Sequence, residues 1–554
     1  MTFSSNTWFG LDPYVRFDII FENELCYLLP ELYLGSMCLA LLVFGVALAG
    51  SKDHQYPLLG PVLTRLLCLS LGLTLLLLVG SPYEAFHALG FTYIQNEGIR
   101  QLKILVLTVA TLLIGAYEAG RQKDQENYFE FPILLGLSIW SGLFVLSSND
   151  FLLFYLALEA QSLCFYVLAA WYRGSAFSTE AGLKYFVLGA LSSGILVFGI
   201  SLLYGTMGTV AFDKLHILFS ISEAQPLETV YYANVLLALI CILVGFLFKL
   251  TAAPFHMWAP DVYEGAPMSI TAFFVTIPKI VLLGTFARLL YTVFFSFFPI
   301  WQGILVVCSI LSMAVGSYGE LAQSKLKRVF AFSSIGHMGY MLLALSSGSQ
   351  EALAGVFLYL TIYVATSLGA FAILLSLESF PLSPFFSANS ASNESSAHFQ
   401  TSPSYRSWFI TDLLMLSETS PFRAACLTIL LFAMIGVPPL VGFFGKYFAF
   451  MAAIQASLIL PAILAVCFST LGAVYYLRLI KIMYFDRAET PIAYKEPLAS
   501  TAYVFTLSVF VILFTIFAPE LPFLYAELFG LSLYPQASYW DIFFPMYVRF
   551  GRFA

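Results

Sequence analysis

Apolar runs of about twenty residues recur along almost the whole chain, and a helix needs about 20 such residues to cross a bilayer. FLLFYLALEAQSLCFYVLAAWY, residues 151 to 172, is one of them. By this rule fourteen segments are read, at about 26–49, 58–80, 101–120, 130–148, 151–172, 183–206, 231–253, 268–290, 300–319, 328–347, 352–378, 424–450, 457–482 and 500–519. A lipid-exposed backbone must satisfy its own hydrogen bonds, which selects helices or a closed barrel. The run lengths select helices, so an all-α polytopic membrane protein is expected. Of 554 residues, 60% are hydrophobic and 10% charged, against about 25% charged in soluble domains. There is no room for a large soluble domain. The net charge of −7 is spread thinly and gives no reason to expect a nucleic-acid partner.

The eight cysteines lie in or beside apolar segments, without a CxxC pair or Cys/His cluster. No iron–sulfur centre, zinc site or disulfide framework is expected. The N-terminus lacks the pattern of a cleaved signal, so the first helix is expected to direct insertion. The stretch SANSASNESSAHFQTSPSYRS, residues 387 to 407, reads as a Ser-rich loop.

Basic residues give the orientation. Loops after odd-numbered segments hold thirteen Lys and Arg. Those after even-numbered segments hold three, Arg100, Lys103 and Lys214. Positive loops stay on the cytoplasmic or matrix side, so both termini are placed on the other side.

Arg65, Lys184, Lys249, Lys279 and Lys446 remain inside segments, with Arg288 near a segment end, from which it can snorkel. Glu159 is the one carboxylate placed well inside. A charge at the bilayer centre costs ~2.5–3.5 kcal/mol on insertion scales. Two readings stand open: a static ion pair, such as Glu159 with Lys184, or groups that exchange protons. Burial disfavours the charged form and nearby charge can restore it, so a set of buried bases with one acid suits a relay.

Two segments are broken beside a lysine. In FKLTAAPFHMWAPDVYEGAP (248 to 267) Lys249 precedes Pro254. In GVPPLVGFFGKY (436 to 447) Lys446 follows Pro438 and Pro439. Proline removes a helical hydrogen bond and clashes with the preceding turn. The breaks fall in segments seven and twelve, five apart, and an odd offset inverts topology. This predicts two inverted five-helix repeats with matched broken helices, the pattern of a transporter ion site. The expected division is 1–129 for helices one to three, 130–290 for the first repeat, 291–490 for the second with a Ser-rich loop at 380–420, and 491–554 for helix fourteen and a tail. His256, just past Pro254, and His337 add groups that titrate near neutrality; each also suits a packing role. Asp261 and Glu264 read as solvated loop acids.

SAFSTEAGLKYFVLGALSSG (175 to 194), LTAAPFHMWAPDVYEGAP (250 to 267), KRVFAFSSIGHMGY (327 to 340) and GVPPLVGFFGKY together resemble the antiporter-like N subunits, or subunit 2, of respiratory complex I. The resemblance runs from about residue 130 to 490, and its first stretch looks like a mitochondrial version. It implies that Glu159 and Lys184 are the paired residues of helices five and six. It further implies that Lys249 is the input-side site, Lys279 the central lysine and Lys446 the exit-side lysine. His256 and His337 match family positions with less defined roles. The family implies no cofactor in this chain, with NADH, FMN, iron–sulfur clusters and ubiquinone handled by other subunits. Its implied partners are other membrane-arm subunits, further antiporter-like subunits among them, and lipids such as cardiolipin. The implied location is the mitochondrial inner membrane, with both termini toward the intermembrane space. The alternatives are a chloroplast or bacterial NADH-like complex, an Mrp-type cation/proton antiporter, and a structural scaffold whose charges only hold helices together.

Overall fold

Backbone hydrogen bonding in a hydrocarbon surround leaves this chain one economical answer, and it takes it: helix after helix. The structure, a computed structural model, describes residues 25–48, 59–81, 86–121, 129–172, 174–224, 229–377, 409–487, 494 and 496–533. Among the described residues, 13 helices are long and apolar enough to cross a membrane. The Ser-rich loop at 387–407 lies outside the described residues.

In chain order the first helices are α1 (Leu25–Leu48), α2 (Leu59–Val79), α3 (Glu97–Arg121), α4 (Glu130–Ser147), α5 (Phe151–Ala169) and α6 (Ala176–Met207). They are followed by α7 (Phe212–Ala224), α8 (Thr229–Lys249), α9 (Trp258–Gly265) and α10 (Met268–Arg288). Next are α11 (Phe298–Leu321), α12 (Leu326–Leu345), α13 (Gln350–Leu377), α14 (Pro421–Ile435) and α15 (Val441–Gln455). The last are α16 (Ile459–Tyr484), α17 (Ala499–Phe517) and α18 (Glu520–Leu533).

Burial orders these helices. Every described residue of α10 but Ser269 is buried, and α12 and α13 are nearly as enclosed. By contrast α2, α6, α11 and α16 bury only one face and turn leucines, valines and phenylalanines outward. The hydrophobic runs are thus of two kinds, three central helices and a ring that presents apolar surface to its surroundings.

The structure adds to the sequence expectation in two places and locates both expected helix breaks. A small antiparallel hairpin, β1 (Phe86–Ala88) and β2 (Tyr93–Gln95), interrupts the all-α pattern before α3. The short helices α7 and α18 also escape a rule built on twenty-residue runs. Segment seven ends at Lys249, earlier than expected, and the chain resumes as α9. Segment twelve is two helices, α14 and α15, joined through Gly436 to Leu440.

That second junction needs glycine twice. Gly436 holds φ +84°, a left-handed turn that ends α14. At Gly442 a Cβ would sit 1.7 Å from the Ala433 carbonyl oxygen, so only glycine lets α15 lie against the last turn of α14.

Several charges lie elsewhere than expected, among them Lys327 and Arg423, which are buried on α12 and α14 rather than in loops. Lys103, expected in a loop, lies on α3 and is fully buried, and Arg100, one turn earlier, is buried too. Glu31, on α1, is a second carboxylate deep inside a segment. Lys103 Nζ meets Glu31 Oε1 at 2.5 Å, with the Tyr93 hydroxyl and Gln95 Oε1 also on the ammonium at 2.9 and 2.6 Å. The hairpin therefore supplies the polar lid that lets this pair stay dry. Removing one member of a buried pair strands the other charge, at a cost of ~3–5 kcal/mol. Lys103→Met is thus expected to lower the thermal midpoint of the purified protein strongly. The double change Glu31→Leu with Lys103→Met should recover most of the loss, as read by thermal unfolding in detergent.

Candidate functional site

The two helix breaks free backbone carbonyls at membrane depth, and the structure shows what meets them. After α8 the chain turns through Thr251, at φ 61°, and a cis Ala253–Pro254 bond. The Phe248 carbonyl accepts from the Trp258 indole at 3.1 Å, and the Ala253 N–H donates to Ser312 Oγ at 2.9 Å. At the second break, which holds a cis Pro438–Pro439 bond, the Ile435 carbonyl accepts from Lys446 Nζ at 2.7 Å. A tryptophan thus caps one break and a lysine the other.

Lys249, the last residue of α8, is buried beside its break. Its Nζ has no hydrogen-bond partner and lies over the Tyr166 ring, 5.9 Å from the centroid. Glu159 faces the same region from α5, its Oε2 3.3 Å from the Ser162 hydroxyl and its Oε1 buried without a partner. Lys249 and Lys279 line one cavity, walled by Gln161, Ser162, Tyr185 and Trp258 and large enough for water.

Lys279 sits on α10 just after Pro278, 1% exposed. Its ammonium donates to the Ser334 carbonyl and to the Tyr363 hydroxyl, both at 3.2 Å. The Tyr363 ring packs against His337, centroids 5.3 Å apart, and His337 Nδ1 is 2.9 Å from the Tyr359 hydroxyl. His337 then lines a second cavity, together with Lys446, Tyr340, Tyr476 and Glu320. A file of polar groups, linked by shared cavities, a hydrogen bond and a ring contact, therefore runs from Lys249 through Lys279, Tyr363 and His337 to Lys446.

Lys184 does not join that file by contacting Glu159. Its ammonium lies 2.7 Å from Glu180 and 2.9 Å from Asp261. Asp261 and Glu264 are not solvated loop acids but residues of α9. Asp261 also pairs with Arg328 at 3.2 Å, and Glu264 with Arg328 at 3.3 Å and with Lys325. A helical turn brings the two acids to one face, where they tie α9 to α6 and α12. His256 is buried, and its Nδ1 has no partner, yet it lines neither cavity. Arg65 is on the outer surface of α2. Arg288 does not snorkel: it is buried and donates to the carbonyls of Leu146, at 3.0 Å, and Ser148.

Sequence reading missed Tyr363 and Glu320. Tyr363 gave no signal in an aromatic-rich chain. Glu320 fell one residue past a segment boundary, where an acid reads as solvated.

The family model for the NADH:quinone oxidoreductase/Mrp antiporter membrane region matches residues 148–472. The chain belongs to this family. NADH-ubiquinone oxidoreductase chain 2 of Marchantia polymorpha is 39% identical over 516 residues, covering 93% of this chain and 100% of that protein. NADH-quinone oxidoreductase subunit N of Rhodospirillum rubrum is also 39% identical, over 464 residues, covering 84% and 88%. Among solved structures, a chain of respiratory complex I from Thermus thermophilus with bound aureothin superposes with a TM-score of 0.71 at 29% identity, covering 89% and 98%. A chain of the Mrp complex from Dietzia shares the fold, with a TM-score of 0.74 at 20% identity, covering 93% and 98%.

Polar walls around water-sized space hold water, and this can be read directly. A brief X-ray pulse that makes hydroxyl radicals from bound water should oxidise Met313 and Met434, which line the second cavity. Met338 and Met341, fully buried on α12 away from it, should stay unmodified by mass spectrometry. Equal protection of all four would mean that the cavity is dry.

Proposed function

We propose that this chain is a proton-translocating membrane-arm subunit of an NADH:quinone oxidoreductase of the complex I type. The observation that carries the proposal is the file of buried bases, Lys249, Lys279, His337 and Lys446, with Glu159 at one end. The near full-length identity to chain 2 and subunit N proteins selects this assembly. The likeness to an Mrp chain, at 20% identity, supports the fold alone.

In this reading Glu159 sets the charge state of Lys249, since an ionised acid nearby favours the ammonium and its loss disfavours it. A proton released by Lys249 passes through cavity water to Lys279, then by Tyr363 and His337 to Lys446 and out. Lys184 acts from a distance: with Asp261 and Arg328 it fixes α9, and so the turn beside Lys249, rather than neutralising Glu159. Each proton moved against 100 mV requires ~2.3 kcal/mol. Quinone reduction by NADH in partner subunits, which hold FMN and iron–sulfur clusters, supplies it. The repeats span 130–290 and 291–490, each with a break in its fourth helix, at α8/α9 and α14/α15. Residues 1–129 and 491–554 flank them. The location is the mitochondrial inner membrane, with both termini toward the intermembrane space, other antiporter-like subunits alongside, and cardiolipin in the outward grooves.

Two measurements test this. In native gels after mild solubilisation, the chain should run in a large band that oxidises NADH. A small band without that activity, with sodium/proton exchange in vesicles, would favour the antiporter alternative. In assembled complex, Glu159→Gln and Lys249→Ala should each lower the protons moved per electron pair. Normal assembly with an unchanged ratio would instead support a scaffold whose charges serve packing.

A further inference from the structure

Glu320 is an acid that the relay above does not use. It closes the C-terminal turn of α11, is 4% exposed, and has a carboxylate oxygen, Oε2, buried without any hydrogen-bond partner. A carboxylate kept only for packing is met by donors, because an unmet buried one costs heavily. Glu320 instead faces the second cavity, which it shares with Lys446 and His337. The groups around it are Tyr340 and His337 of α12, Tyr475 and Tyr476 of α16, and Lys446 of α15. Lys446 is the base within its electrostatic reach. Tyr475 also has a buried hydroxyl without a partner.

A comparable arrangement lies at the other end of the file, where Lys249 lines the first cavity and Glu159, outside that lining, is within its electrostatic reach. Glu159 and Lys249 are electrostatic neighbours without direct contact, each with an unmet polar atom, beside a tyrosine face on the lysine. Glu320 and Lys446 share the unmet carboxylate oxygen and the aromatic face, Tyr340 lying under the ammonium at 5.2 Å, whereas Lys446 Nζ also donates to the Ile435 carbonyl. In neither case does a direct ion pair hold the two charges. That contrasts with Glu31 and Lys103, which touch. The two acids are not related by the proposed repeat, for Glu159 is on the second helix of its half and Glu320 on the first of the other. The recurrence is therefore one of chemistry rather than of duplicated sequence.

We propose that Glu320 is a second switch carboxylate, which controls Lys446 as Glu159 controls Lys249, so that both ends of the relay carry an acid from this same chain. While Glu320 is ionised, Lys446 keeps its proton. A proton arriving on Glu320 makes it neutral, removes the attraction, and frees the Lys446 proton to leave. No bond other than O–H and N–H forms or breaks. The proposal rests on the relay reading given above.

The test uses assembled complex in membrane vesicles, with Glu320→Gln, Lys446→Ala, the double variant and Glu159→Gln measured side by side. Glu320→Gln should assemble normally and lower the protons moved per electron pair several-fold. That loss should vanish in the Lys446→Ala background, since coupled residues are non-additive. A normal ratio in Glu320→Gln, or losses that simply multiply, would overturn the proposal. A loss in Glu159→Gln with none in Glu320→Gln overturns this inference alone. No loss in either variant overturns the relay reading and this inference with it. An infrared difference spectrum of the complex during turnover gives an independent readout, for cases where the glutamine variant fails to assemble. A carboxyl C=O band that shifts in Glu320→Asp supports the switch, and a turnover spectrum unaltered by that change overturns it.

Discussion

A charge left alone in hydrocarbon is so costly that every buried base in this protein must be given company, and the ways of giving it company organise the structure. Lys103 is held in contact with Glu31 under a hairpin lid. Lys279 donates to a carbonyl and a tyrosine hydroxyl. Lys446 caps the carbonyl left by a helix break. Lys249 has only an aromatic face, a cavity and a nearby acid. These arrangements run from tight to loose. A base in direct contact with a carboxylate has little reason to give up its proton, whereas one separated from its acid by water-sized space can respond to that acid's charge.

The helix breaks belong to the same constraint. Interrupting a helix inside a membrane exposes carbonyls, and neighbouring groups must meet them. Here Trp258 meets one and Lys446 the other. The second solution makes the lysine the repair of the break as well as a station in the proposed relay, so the two roles cannot be varied separately. At the first break the repair is delegated to tryptophan, and Lys249 is left free of hydrogen bonds. The asymmetry accompanies the lysine's place before the first break and after the second.

The membrane class, nearly all the spans, both breaks and the buried Lys249, Lys279 and Lys446 were legible in the sequence, because each has a one-dimensional signature: a run, a proline or a charge within a run. What was not legible depends on side chains from distant segments. The Lys184 pairing with Asp261 could not be read, because Asp261 reaches it only once residues 258–265 form a helix. Lys103 looked like a loop charge until the hairpin at 86–95 covered it. Glu320 looked solvated because it ends a helix, yet α12 and α16 close over it. Boundary residues carry the weakest sequence signal and, in this protein, much of the chemistry.

The centre of the file differs from its ends. Lys249 and Lys446 each open on space large enough for water, but Tyr363, between Lys279 and His337, lines neither cavity. Side chains alone bridge this gap, on α10, α12 and α13, the three most enclosed helices. In the proposed relay a proton crosses water readily, but passes this bridge only when Lys279 and the His337 side are in complementary protonation states. In the proposed relay this side-chain bridge keeps the two cavities apart, so that filling one does not by itself connect it to the other. A continuous water channel would conduct in both directions, and no redox event elsewhere could then hold a gradient.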